Sequence, residues 1–293
     1  MTAAIGTLAV IGVGLIGGSL ARALRAAGAV GEIVGCGRGE QNLALAKELG
    51  VVDHYTHSIA EAAASADMVF LSIPLGAMRD AFAALAPVLQ PHALVTDGGS
   101  AKGSVVADCR SAAPALLPRF VPGHPIAGTE NNGVAASFAT LYQNRRVILT
   151  PLSENATEDV AKVTEMWVAC GADVTEMAVE HHDEVLAATS HLPHMLAFGL
   201  VDMLAGMKEN DEIFRYAAGG FRDFTRIASS NPEMWRDVCI ANRHALVPML
   251  RAFSAQLGEL AEMIEIADGE GLLEIFANAK SARDRYIDGV QAD

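Results

Sequence analysis

Gly12-Val13-Gly14-Leu15-Ile16-Gly17 follows directly on the apolar run Leu8–Ile11, and apolar residues then recur at helical spacing through Ile16, Leu20, Leu24 and Ala27. The pattern reads as a strand, a glycine turn and a helix. In such a unit Gly12 permits the tight turn, Gly14 lets a pyrophosphate approach the main chain, and Gly17 lets the helix pack closely on the strand. The helix N-terminus at Leu15 and Ile16 offers free N–H groups and partial positive charge to the phosphates. A glycine-rich turn without a ligand is the plainer alternative. The strand before, the helix after and the place near residue 1 favour a dinucleotide site.

The tip of the next strand, Glu32–Cys36, decides which dinucleotide. An NAD-binding unit places an acid there to hold the ribose 2′-hydroxyl, whereas an arginine accommodates the 2′-phosphate of NADP. This chain carries Gly37-Arg38. No acid stands at the tip to repel a 2′-phosphate, and a guanidinium presents a planar fork of donors suited to one. NADP is the expected cofactor, with NAD as the alternative if Arg38 is only a solvated loop residue.

Composition bounds the rest. The chain has 293 residues, 51% of them apolar, enough for one large or two moderate domains with a sizeable core. Lys and Arg total 21 against 35 Asp and Glu, a formal charge of −14. Nucleic acid and anionic membranes demand a basic footprint, so neither is expected as a partner. An anionic small-molecule substrate would instead need arginine or lysine gathered in a cleft. Cys36, Cys109, Cys170 and Cys239 are widely spaced in or beside apolar segments, with no CxxC pair, which reads as buried thiols in a reducing, cytoplasmic setting. The N-terminus lacks the features of a signal peptide. The apolar run from Leu186 to Ala205 is interrupted by Ser190, His191, Pro193, His194 and Asp202 and reads as a buried helix.

Along the first part of the chain strands alternate with helices. After the opening unit come Asp67–Ile73, a helix from Ala77 to Leu89, Ala93–Asp97, a helix from about Lys102, Val147–Thr150, a helix from about Glu154 to Gly171, and Asp173–Met177. Such alternation predicts an α/β domain of the Rossmann type, a doubly wound, mostly parallel sheet covered on both faces. Ligands bind at the carboxyl ends of its strands, so Ile73-Pro74 and Asp97-Gly98-Gly99-Ser100 should face the cofactor crevice. From about Val179 the pattern is helical only, predicting domains over 1–178 and 179–293. Asn231-Pro232-Glu233 is a helix start, and one apolar stripe runs from Trp235 to Ile264 with Pro248 as a kink. Helices so long and apolar are expected to be buried between two copies in a homodimer, with packing on the sheet domain of a monomer as the alternative.

Three clusters carry candidate chemistry. Gly123-His124-Pro125-Ile126-Ala127-Gly128-Thr129-Glu130 reads as a loop whose Gly and Pro fix the backbone of a histidine without burying its ring. An imidazole there suits a general base that takes a hydroxyl proton. Glu180-His181-His182-Asp183 is followed by Ser190-His191-Leu192-Pro193-His194. The spacing lacks the one-face HExxH geometry and no cysteine lies nearby in sequence, so no metal is expected and these groups read as the polar lining of a cleft. Gly219-Gly220-Phe221-Arg222-Asp223-Phe224-Thr225-Arg226 delivers two arginines. Arg226 suits a bidentate carboxylate clamp, and Arg222 beside Asp223 reads as an ion pair.

Together these residues resemble the prephenate/arogenate dehydrogenase (cyclohexadienyl dehydrogenase) family of tyrosine biosynthesis. The resemblance runs from the glycine turn through DGGSAKG at Asp97–Gly103, GHPIAGTE at Gly123–Glu130, SHLPH at Ser190–His194, GGFRDFTRIA at Gly219–Ala228 and NPEMWRD at Asn231–Asp237. It implies a Rossmann domain followed by an all-α dimerisation domain. It also implies His124 as the group that deprotonates the substrate hydroxyl, with Ser100 hydrogen-bonding near that hydroxyl and the nicotinamide. Arg226 matches the arginine that binds a substrate carboxylate, with Ser190, His191, His194 and Trp235 lining the pocket. His182, followed by Asp183, matches a His-Asp pair at the cleft, and Thr129 and Glu130 match the end of a loop facing the substrate side chain.

The implied substrate is a cyclohexadienol with a ring carboxylate para to the hydroxyl, oxidised by hydride transfer to NAD(P)⁺ with loss of CO₂. Prephenate and arogenate both remain open, with a relaxed or arogenate-leaning choice favoured, since Glu130 suits the amine of arogenate without requiring it. The residues after the helices read as no regulatory module and none before the glycine turn as a mutase, so tyrosine control through a separate domain is not expected. Two alternatives stay open at this point. One is a β-hydroxyacid or imine oxidoreductase, which would rely on a helical lysine such as Lys102; the other is a non-catalytic NADP-binding sensor.

Overall fold

The computed structural model describes residues 4–129, 131–208 and 210–290. Its elements, in chain order, are β1 (Ile5–Ile11), α1 (Leu15–Ala26), β2 (Val30–Cys36), α2 (Glu40–Glu48), β3 (His54–Thr56), α3 (Ile59–Ala63), β4 (Met68–Leu71), α4 (Met78–Leu85), β5 (Leu94–Asp97) and α5 (Lys102–Ala112). There follow β6 (Phe120–Val121), β7 (Gly123–Pro125), β8 (Arg146–Leu149), α6 (Thr157–Ala169), β9 (Asp173–Glu176) and α7 (Val179–Leu186). The remainder is helical: α8 (Leu192–Ala205), α9 (Asn210–Arg215), α10 (Gly219–Thr225), α11 (Pro232–Ala241), α12 (Arg243–Glu265) and α13 (Gly269–Val290).

The main sheet is parallel, with order β3-β2-β1-β4-β5-β6. Strand order reverses between β1 and β4, and the crevice at that reversal is where doubly wound folds take their ligands. Burial explains why these segments pair as they do. Leu8, Val10, Val69, Phe70, Leu71 and Val95 are fully or nearly fully enclosed, as the near-continuous apolar runs of a sheet covered on both faces require. One core lies on the α1 and α6 side, where Trp167 meets Phe70 and Tyr142 edge-to-face, and the other lies on the α4 and α5 side around Phe82 and Phe120.

Two expectations are corrected here. Val147–Thr150 and Asp173–Met177 do not extend the main sheet; they form, with β7, a second sheet ordered β7-β8-β9. The short strands β3, β6 and β7 were invisible to periodicity because two or three residues carry no alternation to read. The chain leaves the main sheet at Val121, and the Pro122 carbonyl accepts from Thr150 N at 2.9 Å, which starts the antiparallel pairing of β7 with β8.

Contacts group residues 1–243 into one compact unit and residues 244–293 into another. Helices α7 and α11 therefore belong with the sheets, although the sequence pattern changes near Val179. The apolar stripe from Trp235 is also not one helix: it breaks at Asn242 between α11 and α12, and Pro248 lies inside α12. In the second unit Ile264, Leu273, Phe276 and Tyr286 are exposed. Among the described residues no helix is long and apolar enough to cross a membrane.

Candidate active site

The glycine turn has the geometry its sequence requires. Gly12 has φ +98°, and a Cβ there would lie 2.3 Å from the Ser72 carbonyl; one at Gly17 would lie 2.3 Å from the Gly12 carbonyl. Gly14 faces open space instead, and as the N-cap of α1 it supplies no side-chain acceptor to the first-turn amides of Leu15 and Ile16. Close packing at two glycines and clearance at the third leave a cradle of N–H groups that fits a pyrophosphate. Ile73 and Pro74 lie just past β4, after Ser72, with Ile73 half-buried against the core and Pro74 exposed. Arg38 lies exposed past the tip of β2 with no partner among the described residues.

His124 is the first departure from the loop reading. It sits in β7, opposite Ile148, and its ring is buried. Burial is tolerated because the ring has a partner: His124 Nδ1 lies 2.9 Å from His182 Nε2, and His182 Nδ1 lies 2.8 Å from Asp183 Oδ1. Asp183 also accepts from the main-chain N–H of Lys102 at 2.7 Å and of Gly103 at 2.9 Å, capping α5, whose own N-cap, Ala101, has no polar side chain.

The order of donors follows from chemistry. A carboxylate only accepts, so His182 Nδ1 carries the proton and its Nε2 accepts. His124 Nδ1 must then donate, which leaves its Nε2 with a free lone pair. Both rings stay neutral. Burial, reinforced by His182, Lys102 and His191, holds His124 well below the usual imidazole range, and burial lowers His182 although Asp183 opposes it. For Asp183, burial works against the charge, but bonds from His182, Lys102 and Gly103 outweigh it and keep the carboxylate ionised.

A second cluster lies on α7, α8 and α11. A π-helical turn, Ala187–His191, joins α7 to α8, a feature frequent where helices carry sites. Asn242 Nδ2 donates to the Asp183 carbonyl at 2.8 Å and faces His191 Nδ1 at 3.0 Å. His191 Nδ1 is therefore an acceptor and its Nε2 carries the proton. That N–H is buried and faces the Ser100 main chain, and the indole N–H of Trp235 is buried without a partner. Burial pushes His191 down to about 4, so it serves as a neutral donor. His194 stacks on Trp235 with ring centroids 3.6 Å apart and donates from Nδ1 to the Ser190 carbonyl at 2.8 Å. Ser100 is half-buried in the turn between β5 and α5, and its main chain faces His191.

Other expected site residues stand apart. Arg226, after α10, is exposed, makes no ion pair among the described residues, and adds positive potential at His194. Thr129 is exposed and accepts from Asn131 N at 3.2 Å, so it closes a local turn. Glu130 lies outside the described residues. Arg222 is exposed and does not form the anticipated ion pair with Asp223. Among the described residues no group of three or more His, Cys, Asp or Glu is arranged to hold a metal ion. Sequence reasoning missed Asn242, whose only signal was a polar residue inside an apolar stripe.

The chain matches the family description "Prephenate dehydrogenase, nucleotide-binding domain" over residues 20–176 and "Prephenate dehydrogenase, dimerization domain" over residues 178–278. It is 41% identical over 278 residues to a cyclohexadienyl dehydrogenase of Zymomonas mobilis, covering 94% of each chain. It is 34% identical over 281 residues to a prephenate dehydrogenase of Bacillus subtilis, covering 95% of this chain and 75% of that one. Its fold is similar to that of a prephenate dehydrogenase of A. aeolicus solved with hydroxyphenyl propionate and NAD⁺, with a TM-score of 0.89, 40% identity, and 95% and 97% of the two chains covered. The glycine cradle and the buried histidine pair thus lie in a chain that belongs to the prephenate dehydrogenase family.

Proposed function

We propose that this protein oxidatively decarboxylates prephenate or arogenate, with hydride transfer to a pyridine nucleotide, as a step of tyrosine biosynthesis. The observation that carries the reading is the chain Asp183–His182–His124, which ends in an unprotonated Nε2 on a buried, neutral ring. A cyclohexadienol needs one base at its hydroxyl, and this chain of bonds prepares one. The nicotinamide, when bound, accepts the hydride from the carbon that bears the hydroxyl.

His124 Nε2 takes the hydroxyl proton as that carbon is oxidised to a carbonyl. The bond from the ring to its carboxylate then breaks, its electron pair stays in the ring, and CO₂ leaves. The ring becomes aromatic, and the phenolate recovers its proton from the His124 imidazolium, returning the base to its neutral state. Aromatisation makes the sequence effectively irreversible, so the protein's task is orientation and charge. In this reading His191 and Trp235 back the substrate pocket, Ser100 supplies a hydroxyl beside the nicotinamide, and Ser190 and His194 line the same wall. Arg226 clamps a substrate carboxylate, and Thr129 borders the side-chain end.

NADP is the proposed cofactor. Arg38 is free to take a 2′-phosphate, and the nearby acid, Glu40, already accepts from Tyr55 OH at 2.8 Å and lies 2.8 Å from His57 Nε2. The A. aeolicus relative is named with NAD⁺, so NAD is the competing choice. The exposed apolar residues of α12 and α13 and the match to a dimerization domain support a homodimer. Residues 1–178 are proposed as the dinucleotide domain and 179–293 as the helical substrate and dimerisation domain.

The test is direct: purified protein with NADP⁺ or NAD⁺ and prephenate, arogenate or a simple 2-hydroxy acid, followed at 340 nm. Turnover with a cyclohexadienol and none with the hydroxy acid is expected. Cofactor binding without turnover of either cyclohexadienol would overturn the reading.

A further inference from the structure

Lys102 is wholly enclosed, yet the mechanism above gives its ammonium nothing to do. It pairs with the equally buried Asp97, and its Nζ also donates to the Gly123 carbonyl at 2.6 Å. Asp97 in turn accepts from Gly123 N at 3.1 Å through Oδ1 and from Gly99 N at 2.8 Å through Oδ2. Both main-chain polar groups of Gly123, the residue before His124, are therefore held by one buried ion pair. β7 belongs to the second sheet and β5 to the main sheet, so this pair bridges the strand of the base to the carboxyl end of β5.

The same residue closes the circuit from the other side. The Lys102 main-chain N–H donates to Asp183, Asp183 accepts from His182, and His182 meets the His124 ring. The first turn of α5 thus reaches His124 twice, once through its backbone and once through its imidazole. Buried ion pairs rarely add net stability, because desolvation offsets their attraction. A fully buried pair beside the base calls for another role.

We propose that Lys102, with Asp97, is a positioning residue for the reaction: it clamps the Gly123 peptide so that His124 Nε2 is held at the substrate hydroxyl. This rests on the reading of His124 as the base. The groups that face His124 are His182, Lys102 and His191, with Asp97 and Asp183 behind them. A cation at Lys102 disfavours imidazolium; removing it favours imidazolium, whether Asp97 stays ionised or takes up a proton.

Lys102→Met removes both donor and charge, while Lys102→Gln keeps an N–H for the Gly123 carbonyl and removes only the charge. For Lys102→Met, kcat is expected to fall about 100-fold with KM changed less than about threefold; Lys102→Gln should recover about a tenth of wild-type kcat. In both, the acid limb of the kcat profile should move to higher pH, and the His124 imidazole, followed by NMR in ¹⁵N-histidine-labelled protein, should titrate at higher pH than in wild type. The NMR readout does not depend on His124 being the base, so it separates failure of this inference from failure of the functional reading. If Lys102→Met does not fold, the Lys102→Gln profile and titration carry the test. An unchanged His124 titration and kcat in the variant that folds, or a loss confined to KM, would overturn the proposal.

Discussion

His124 and the two arginines assigned to anions, Arg226 and Arg38, occupy opposite physical regimes. The histidine is buried, and each of its neighbours is fixed by a further bond, back to the first turn of α5. The arginines are exposed and unpartnered among the described residues. A group that must have one tautomer and one direction is built before substrate arrives, whereas a group that supplies charge can complete its geometry around the ligand. The base should therefore govern kcat, and the arginines should govern KM for the anion each one holds.

The sharpest way to break that division is at His124. His124→Asn should lower kcat by about 10²–10⁴-fold, the usual contribution of a positioned general base, and leave cofactor affinity nearly unchanged. Steady-state kinetics with nucleotide titration checks both, and near-wild-type kcat would remove His124 from the mechanism. The pH dependence sharpens the same point. Because burial lowers the folded pKa of His124, the base form persists below the usual imidazole value. In wild type, kcat/KM should stay level as pH falls past about 6.5 and turn down only below it; an inflection at or above that value would mean that the ring is solvated in the working enzyme.

Asp183 tests whether the ring needs its tautomer fixed. Asp183→Asn replaces one accepting oxygen with a donor, which must face either His182 Nδ1 and the Lys102 N–H or the Gly103 N–H. Either His182 reverses its tautomer and leaves His124 Nε2 protonated, or the cap on α5 is lost. A fall in kcat of about 100-fold with a smaller change in KM is expected. Equal losses in both constants would point to general disorder of the site.

Arg226→Ala should act on the other side of the comparison. Loss of a charge-assisted pair is worth about 2 kcal/mol, or roughly a 30-fold rise in KM for the cyclohexadienol, with kcat and NADP⁺ affinity little affected. An unchanged KM would transfer the clamp to another residue, and Arg222 would be next.

How far each region was legible in the sequence follows from the same physics. The glycine turn could be read because Gly12 and Gly17 are dictated by sterics along a few consecutive residues. The doubly wound, mostly parallel sheet followed from strands long enough to show their apolar runs. His124 could be picked out, but its burial could not, since the groups that permit it, His182, Asp183, Asp97 and Lys102, come from distant segments and β7 is only three residues long. In sequence Lys102 is legible only as a helical lysine, the acid/base that the hydroxyacid alternative would use; its contact with the Gly123 carbonyl depends on a sheet-to-sheet approach that no periodicity encodes. Asn242 was missed for a similar reason: its partners are the Asp183 carbonyl and the His191 ring, both more than fifty residues away.

The smallest expected effect, at Arg38, asks whether an exposed arginine at the tip of β2 selects the cofactor at all. The chain carries no acid there, and the turn is held by His57, whose Nδ1 lies 2.8 Å from the Gly37 carbonyl and whose Nε2 pairs with Glu40. Glu40 is thereby directed toward Tyr55 and His57, which leaves the ribose end of the site to Arg38. Arg38→Ala should weaken NADP⁺ by about 1.5 kcal/mol, roughly tenfold in KM, and barely change NAD⁺. A side chain fits at Gly37, where an added Cβ would make only an ordinary 3.5 Å contact with Leu43. Gly37→Asp on the Arg38→Ala background should then reverse the preference, by accepting from the 2′-hydroxyl of NAD⁺ and repelling the 2′-phosphate. The quantity to measure is the ratio of kcat/KM for the two cofactors in wild type, single and double variants. A wild-type ratio already in favour of NAD⁺ and indifferent to Arg38 would show that this guanidinium stays in solvent when the cofactor binds, and that exposure at the tip of β2 marks an unused residue while exposure at Arg226 marks a waiting one.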